Sequence, residues 1–205
     1  LALSAAQPTH ATAWVGAATL TDLVAFLADL RARAGQSLTA FEMMSAAALD
    51  LVLAQVPGTR APLEERHAFH ALVELRDAAG SAPGAVLEAA LQQALEQGRI
   101  ADAVVAASAA QARTLWGLRE GISPAQVRAG KAIKHDIALP ISRLADFVAA
   151  ADAAVARVDG QARLINFGHL GDGNLHYNVL VPADLDAEAY HARMEALKAA
   201  VHDLV

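Results

Sequence analysis

Asn166-Phe167-Gly168-His169-Leu170-Gly171-Asp172-Gly173-Asn174-Leu175-His176-Tyr177-Asn178 packs three glycines, two histidines and one aspartate into a chain that is otherwise mostly Ala, Leu and Val. A helix is excluded by the glycines and Asn174. A strand–turn–strand corner fits, with strands over Arg163–Phe167 and Leu175–Val181. His169 and His176 lie seven apart, so across such a turn their side chains converge on one point. Neutral imidazoles are good ligands for Zn, Mn or Fe, and a catalytic site adds a third protein ligand and an open position. The other reading is that both histidines only hydrogen-bond the backbone of a tight turn. Gly168-x-x-Gly171-x-Gly173 inverts the dinucleotide fingerprint and precedes a strand where that fingerprint opens a helix. Asp172-x-Asn174 is a scrap of a calcium loop whose other positions lack oxygen donors.

Outward from this corner, strand and helix patterns alternate. Ala11–Gly16 is β-like. Thr21 or Asp22 caps a helix to about Arg33, with Leu23, Phe26, Leu27 and Leu30 on one face. Leu38–Met43 reads as a strand, Ala46–Ala54 as a helix and Ala68–Leu75 as a strand. A helix opens at Ala82-Pro83, a short strand covers Ala101–Ala106, and a helix over Ala109–Glu120 is stopped by Gly121 and Pro124. Ala132–Leu139 reads as one strand, Arg143–Val158 as a helix, and Asp186 onward as a last helix. The expected fold class is α+β: an antiparallel sheet with helices on one face, built from two ferredoxin-like halves, the second truncated.

Lys+Arg 16 against Asp+Glu 22 gives a net charge of −6 among 205 residues. With a pI near 5.7 and no basic cluster, this argues against a nucleic-acid partner. The absence of cysteine removes disulfides, thiolate metal sites and Cys nucleophiles. Mean hydropathy is +0.31, but charges break every apolar stretch before a spanning helix is reached. Leu1–Ala5 has no initiator Met and no basic n-region, so it reads as a cut edge. The helical pattern also runs uncapped to Val205, and the chain is expected to be an excised piece of a longer, cytoplasmic protein.

Arg119, Ser123 and Lys134 form a second group. Arg119 and Ser123 share a helix face by their spacing of four. Lys134 shares a strand face with Asp136, opposite His135. A guanidinium fork, a hydroxyl and an ammonium suit a carboxylate ligand. The plain alternative is a solvated helix end and a Lys134–Asp136 pair, which the residues alone favour. Glu42 is a carboxylate in the apolar Ala40-Phe41-Glu42-Met43-Met44 run, and His67 and His70 look like polar surface. Trp116 and Phe147 read as core. No function is read into these.

The segment Gly168–His176 resembles the signature of the C-terminal, substrate-side domain of FAD-linked oxidases of the vanillyl-alcohol-oxidase type. It is most similar to D-2-hydroxyglutarate dehydrogenases, D-lactate dehydrogenases and glycolate oxidase flavoprotein subunits. Leu38–Met44, Leu115-Trp116-Gly117-Leu118-Arg119-Glu120-Gly121-Ile122-Ser123 and Lys134-His135-Asp136-Ile137-Ala138-Leu139-Pro140 resemble further motifs of that family. Together they cover the chain from about residue 11 onward. The resemblance implies that residues 1–205 are one cap or substrate-binding domain, separate from the FAD-binding domain of the same chain. It implies His169 and His176 as ligands of a divalent metal, and Arg119, Ser123, Lys134 and Asn174 as contacts to a small 2-hydroxy acid. The implied reaction takes hydroxyglutarate, lactate or glycolate to the 2-oxo acid, with hydride passing to FAD. The family's third metal ligand, a Glu in an "EHG-[IV]-G" motif, and its catalytic base are expected beyond Val205. None of the present residues is therefore expected to be the catalytic base, and the piece alone is expected to be inactive. Where the family usually has Tyr and Thr, this chain has His135 and Ser123. A homodimer is compatible with these features. A stand-alone ferredoxin-like module binding a small carboxylate or metal is the competing reading.

Overall fold

The computed structural model describes residues 10–76, 82–181 and 186–205, which leaves the Leu1–Ala5 stretch outside the described residues. The strands are β1 (His10–Ala17), β2 (Leu38–Ser45), β3 (Phe69–Arg76), β4 (Asp102–Val105), β5 (Lys131–Ile133), β6 (Asp136–Ala138), β7 (Arg163–His169) and β8 (Asn174–Val181). The helices are α1 (Leu20–Ala34), α2 (Ala46–Gln55), α3 (Pro83–Glu96), α4 (Ala109–Glu120), α5 (Ile122–Ala129), α6 (Leu144–Val158) and α7 (Ala187–His202). No helix among the described residues is long and apolar enough to cross a membrane.

The strands form one antiparallel sheet in the order β4-β1-β3-β2-β7-β8-β5, with β6 also on β8. The first four positions are the order of a split β-α-β half, and β7-β8-β5 repeats it in mirror sequence with its fourth place unfilled among the described residues. The strand order is therefore that of the expected pair of ferredoxin-like halves, with three of the four places of the second filled among the described residues. The halves meet edge to edge where β2 pairs β7, through three residue pairs: Glu42↔His169, Met43↔Gly168 and Met44↔Phe167.

Period-two alternation divides the core. Val15, Met43, Val73, Tyr177 and Val179 face one layer, packed by α1, α3, α6 and α7. Trp14, Met44, Leu72, Ile165 and Phe167 face the other, packed by α2, α4 and α5. The expectation of helices on one face thus holds for the crossover helices only. An apolar helix face gives no indication of which side of the sheet it will cover.

Three local expectations change. Thr19, not Thr21 or Asp22, caps α1, accepting from Asp22 N–H at 3.1 Å, because Leu20 is already buried in the core. The stop expected at Gly121 and Pro124 is a junction: α5 starts at Ile122, and a proline in the first turn removes no intrahelical bond. The strand expected over Ala132–Leu139 is split into β5 and β6, although both keep one register on β8 (Ile133↔Val179, Asp136↔His176). At the break, the Asn178 side-chain oxygen takes the His135 N–H at 3.3 Å.

His67 and His70, read as surface, are buried. His70 accepts the Trp14 indole N–H on Nδ1 at 3.2 Å, which keeps its proton on Nε2. Burial, and then the neighbouring His67, lower its pKa from 6.5 to about 4. The folded state therefore refuses a proton that the unfolded chain accepts, and stability falls as the pH drops from 6.5 towards 4. That loss is on the order of 3 kcal/mol. Chemical denaturation across this window will show the loss, and His70→Asn will flatten it.

Candidate functional site

The site lies on the seam between the half-sheets. Glu42 in β2 stands opposite His169 in β7. Phe167 of β7 stands opposite His176 of β8, which in turn stands opposite Asp136 of β6. Residues 167 and 169 share a strand face, so this register lines up a row of side chains across four strands. The turn that returns β7 into β8 depends on two glycines. Gly173 has φ 77°, and a Cβ there would lie 2.2 Å from the Leu139 carbonyl oxygen. A Cβ on Gly168 would lie 2.4 Å from the Asn174 carbonyl oxygen. The Arg31 guanidinium on α1 donates to the Gly171 carbonyl and braces the turn from outside.

Glu42 is the centre of the arrangement. It is 6% exposed. Its Oε1 accepts from His169 Nδ1 at 2.7 Å, and its Oε2 accepts from Arg119 Nε at 3.0 Å and Nη2 at 2.8 Å. The Arg119 guanidinium also lies over the Phe167 ring, 4.8 Å from its centroid, a cation–π contact. His176 Nδ1 donates to Asp136 Oδ1 at 2.5 Å. The His169 and His176 rings lie 6.0 Å apart, nearly perpendicular. Carboxylates accept only, so both Nδ1 atoms carry a hydrogen, and in a neutral imidazole so held the lone pair is on Nε2. His169 is half exposed and borders a cleft of about 280 Å³ shared with Arg31, Glu42 and Asp172.

The two histidines thus come together as expected, and Arg119 joins them through Glu42. Ser123 is exposed at the start of α5, and Lys134 is exposed in the break between β5 and β6. Among the described residues no hydrogen bond or ion pair joins either to Arg119. Asn174 opens β8 half-buried, with its side-chain oxygen unpartnered. The alternative Lys134–Asp136 pair is not formed, because Asp136 is taken by His176. Glu42 and Arg31 carried no functional reading in the sequence. The signal for Glu42 was its charge inside an apolar strand; Arg31 had none.

Residues 6–205 match the family described as FAD linked oxidases, C-terminal domain. The chain belongs to that family. It is 40% identical over 158 residues to a D-2-hydroxyglutarate dehydrogenase of Xanthomonas citri pv. viticola, covering 77% of this chain and 31% of that one. It is 35% identical over 153 residues to the mitochondrial D-2-hydroxyglutarate dehydrogenase of Arabidopsis thaliana, covering 75% and 27%. A putative mitochondrial D-lactate dehydrogenase of Schizosaccharomyces pombe is 32% identical over 178 residues, covering 82% and 34%. The chain therefore spans roughly a third or less of the relatives it matches. Among solved structures, p-cresol methylhydroxylase with substrate bound superposes with a TM-score of 0.61 at 10% identity, over 96% of this chain and 42% of that one. An alkyldihydroxyacetonephosphate synthase superposes at 0.55 and 9%, over 97% and 39%. These two share the fold.

The Arg119–Glu42 pair, with side chains 11% and 8% exposed, is a buried ion pair whose single removal strands a charge. Arg119→Met is expected to cost about 3–5 kcal/mol. The double variant Arg119→Met/Glu42→Gln will cost less than the sum of the singles, as measured by denaturant unfolding in a double-mutant cycle.

Proposed function

We propose that this chain is the substrate- and metal-holding domain of a flavin-dependent D-2-hydroxy acid dehydrogenase, acting on hydroxyglutarate, lactate or glycolate. The observation that carries the reading is the pair of imidazoles 6.0 Å apart, each with its Nδ1 on a carboxylate. Metal-binding histidines are commonly oriented this way, the second nitrogen being left as the donor. The names of the relatives support the substrate class.

The donor set fits a divalent Zn, Mn or Fe ion in part. No cluster of three ligating side chains occurs among the described residues, so His169 and His176 would supply two donors and a third would come from elsewhere in the protein. Such an ion, when bound, supplies Lewis acidity to the substrate's 2-hydroxyl. FAD, held mainly by a different domain of the longer protein, supplies the hydride acceptor. The chain's own residues orient the substrate. Arg119 closes α4 and Ser123 opens α5 just across Gly121, and with Lys134 and Asn174 they hold the far carboxylate and the body of the hydroxy acid. Glu42 occupies two nitrogens of Arg119, which leaves the rest of the guanidinium for that carboxylate. A cytoplasmic site of action belongs to the same proposal, although the plant relatives are named as mitochondrial.

The test is dye reduction by the full-length protein against a panel of D-2-hydroxy acids, with and without a strong chelator. Turnover abolished by the chelator and restored by metal is the expected outcome. Turnover that ignores the chelator removes the metal from the proposal, and no turnover on any 2-hydroxy acid by flavin-loaded protein removes the substrate class.

A further inference from the structure

We infer that Glu42 is the positioning residue of this site, one buried carboxylate that sets the donor nitrogen of His169 and the orientation of Arg119 together. The inference rests on the metal and substrate reading above. Oε1 holds the His169 Nδ1 hydrogen at 2.7 Å, which fixes the tautomer and leaves Nε2 as the donor atom. Oε2 holds two nitrogens of Arg119 at 3.0 and 2.8 Å, a rigid side-on grip on the guanidinium. Both partners converge on a carboxylate 6% exposed, where water competes far less than at an exposed carboxylate. His176 provides the internal comparison. Its carboxylate, Asp136, has a side chain 76% exposed, and an exposed pair of that kind is weak and readily replaced by water. The two histidines therefore stand side by side with unequal support.

Two consequences separate positioning from mere stability. Losing the Glu42 charge weakens metal binding at His169 by about 10- to 100-fold, the usual effect of removing an outer-shell partner. It also releases Arg119, so the KM for a dicarboxylic 2-hydroxy acid rises. Asp136→Asn, on the exposed side, changes metal affinity by no more than a few-fold.

The experiment uses the full-length flavoprotein, stripped of metal, with Zn²⁺ or Mn²⁺ added in a calorimeter to wild type, Glu42→Gln and Asp136→Asn. Flavin content and melting temperature report folding. If Glu42→Gln does not hold flavin, Glu42→Asp replaces it, since the shorter carboxylate keeps the charge but cannot span both partners. The expected result is a metal Kd raised about 10- to 100-fold at position 42 and a much smaller change at 136, with excess metal restoring kcat but not KM. Equal metal affinity in wild type and a folded position-42 variant overturns the inference while leaving the proposed function standing. A wild-type protein that binds no metal overturns the reading beneath it, and the positioning role at His169 falls with it.

Discussion

A carboxylate removed from water must find partners, and Glu42 finds them from both halves of the molecule. Burying an ionised group without compensation costs several kcal/mol. Glu42 is tolerated in the core because Arg119 reaches it from α4 and His169 from β7. The seam beneath it is short, three residue pairs between β2 and β7, extended by the Ser45 hydroxyl accepting the Asn166 N–H at 3.3 Å. The carboxylate, with the guanidinium and imidazole it holds, therefore ties two half-sheets together at this short junction. In the same place it joins one candidate metal ligand to one candidate carboxylate-binding group.

The rest of the fold holds that junction in place. Four crossover helices cover one face of the sheet, while α2, α4 and α5 cover the other. The second layer gives Arg119 its direction, because α4 ends and α5 begins over the seam. At the far side, Trp14 and His70 show the same rule at work on a neutral group. A buried imidazole is kept uncharged by its burial and by the neighbouring His67, while its Nδ1 takes the Trp14 indole N–H.

Much of this was legible from residue order. Alternation located the strands, and the density of glycine and histidine between β7 and β8 located the turn that carries His169 and His176. What escaped has physical reasons. Pro124 reads as a terminator, yet in the first turn of a helix it is an opener. Asn178 interrupts a strand by offering its side-chain oxygen where a backbone carbonyl was expected. Strand alternation offers Asp136 to Lys134 as one alternative, but cross-strand register gives it to His176. Glu42 was visible as an oddity. Its partners lie 77 and 127 residues further along, and no local spacing encodes a contact at that range.

That separation has a consequence for the history of such chains. The acid, the guanidinium and the imidazole are encoded far apart, the acid and the imidazole on strands of different half-sheets and the guanidinium on a helix between them in sequence. A recombination that exchanged one half for a divergent copy would inherit a charge without its counter-charge, and selection would meet the defect at once. The shared carboxylate makes the two halves one unit at the seam, since neither half alone carries both the buried charge and all of its partners.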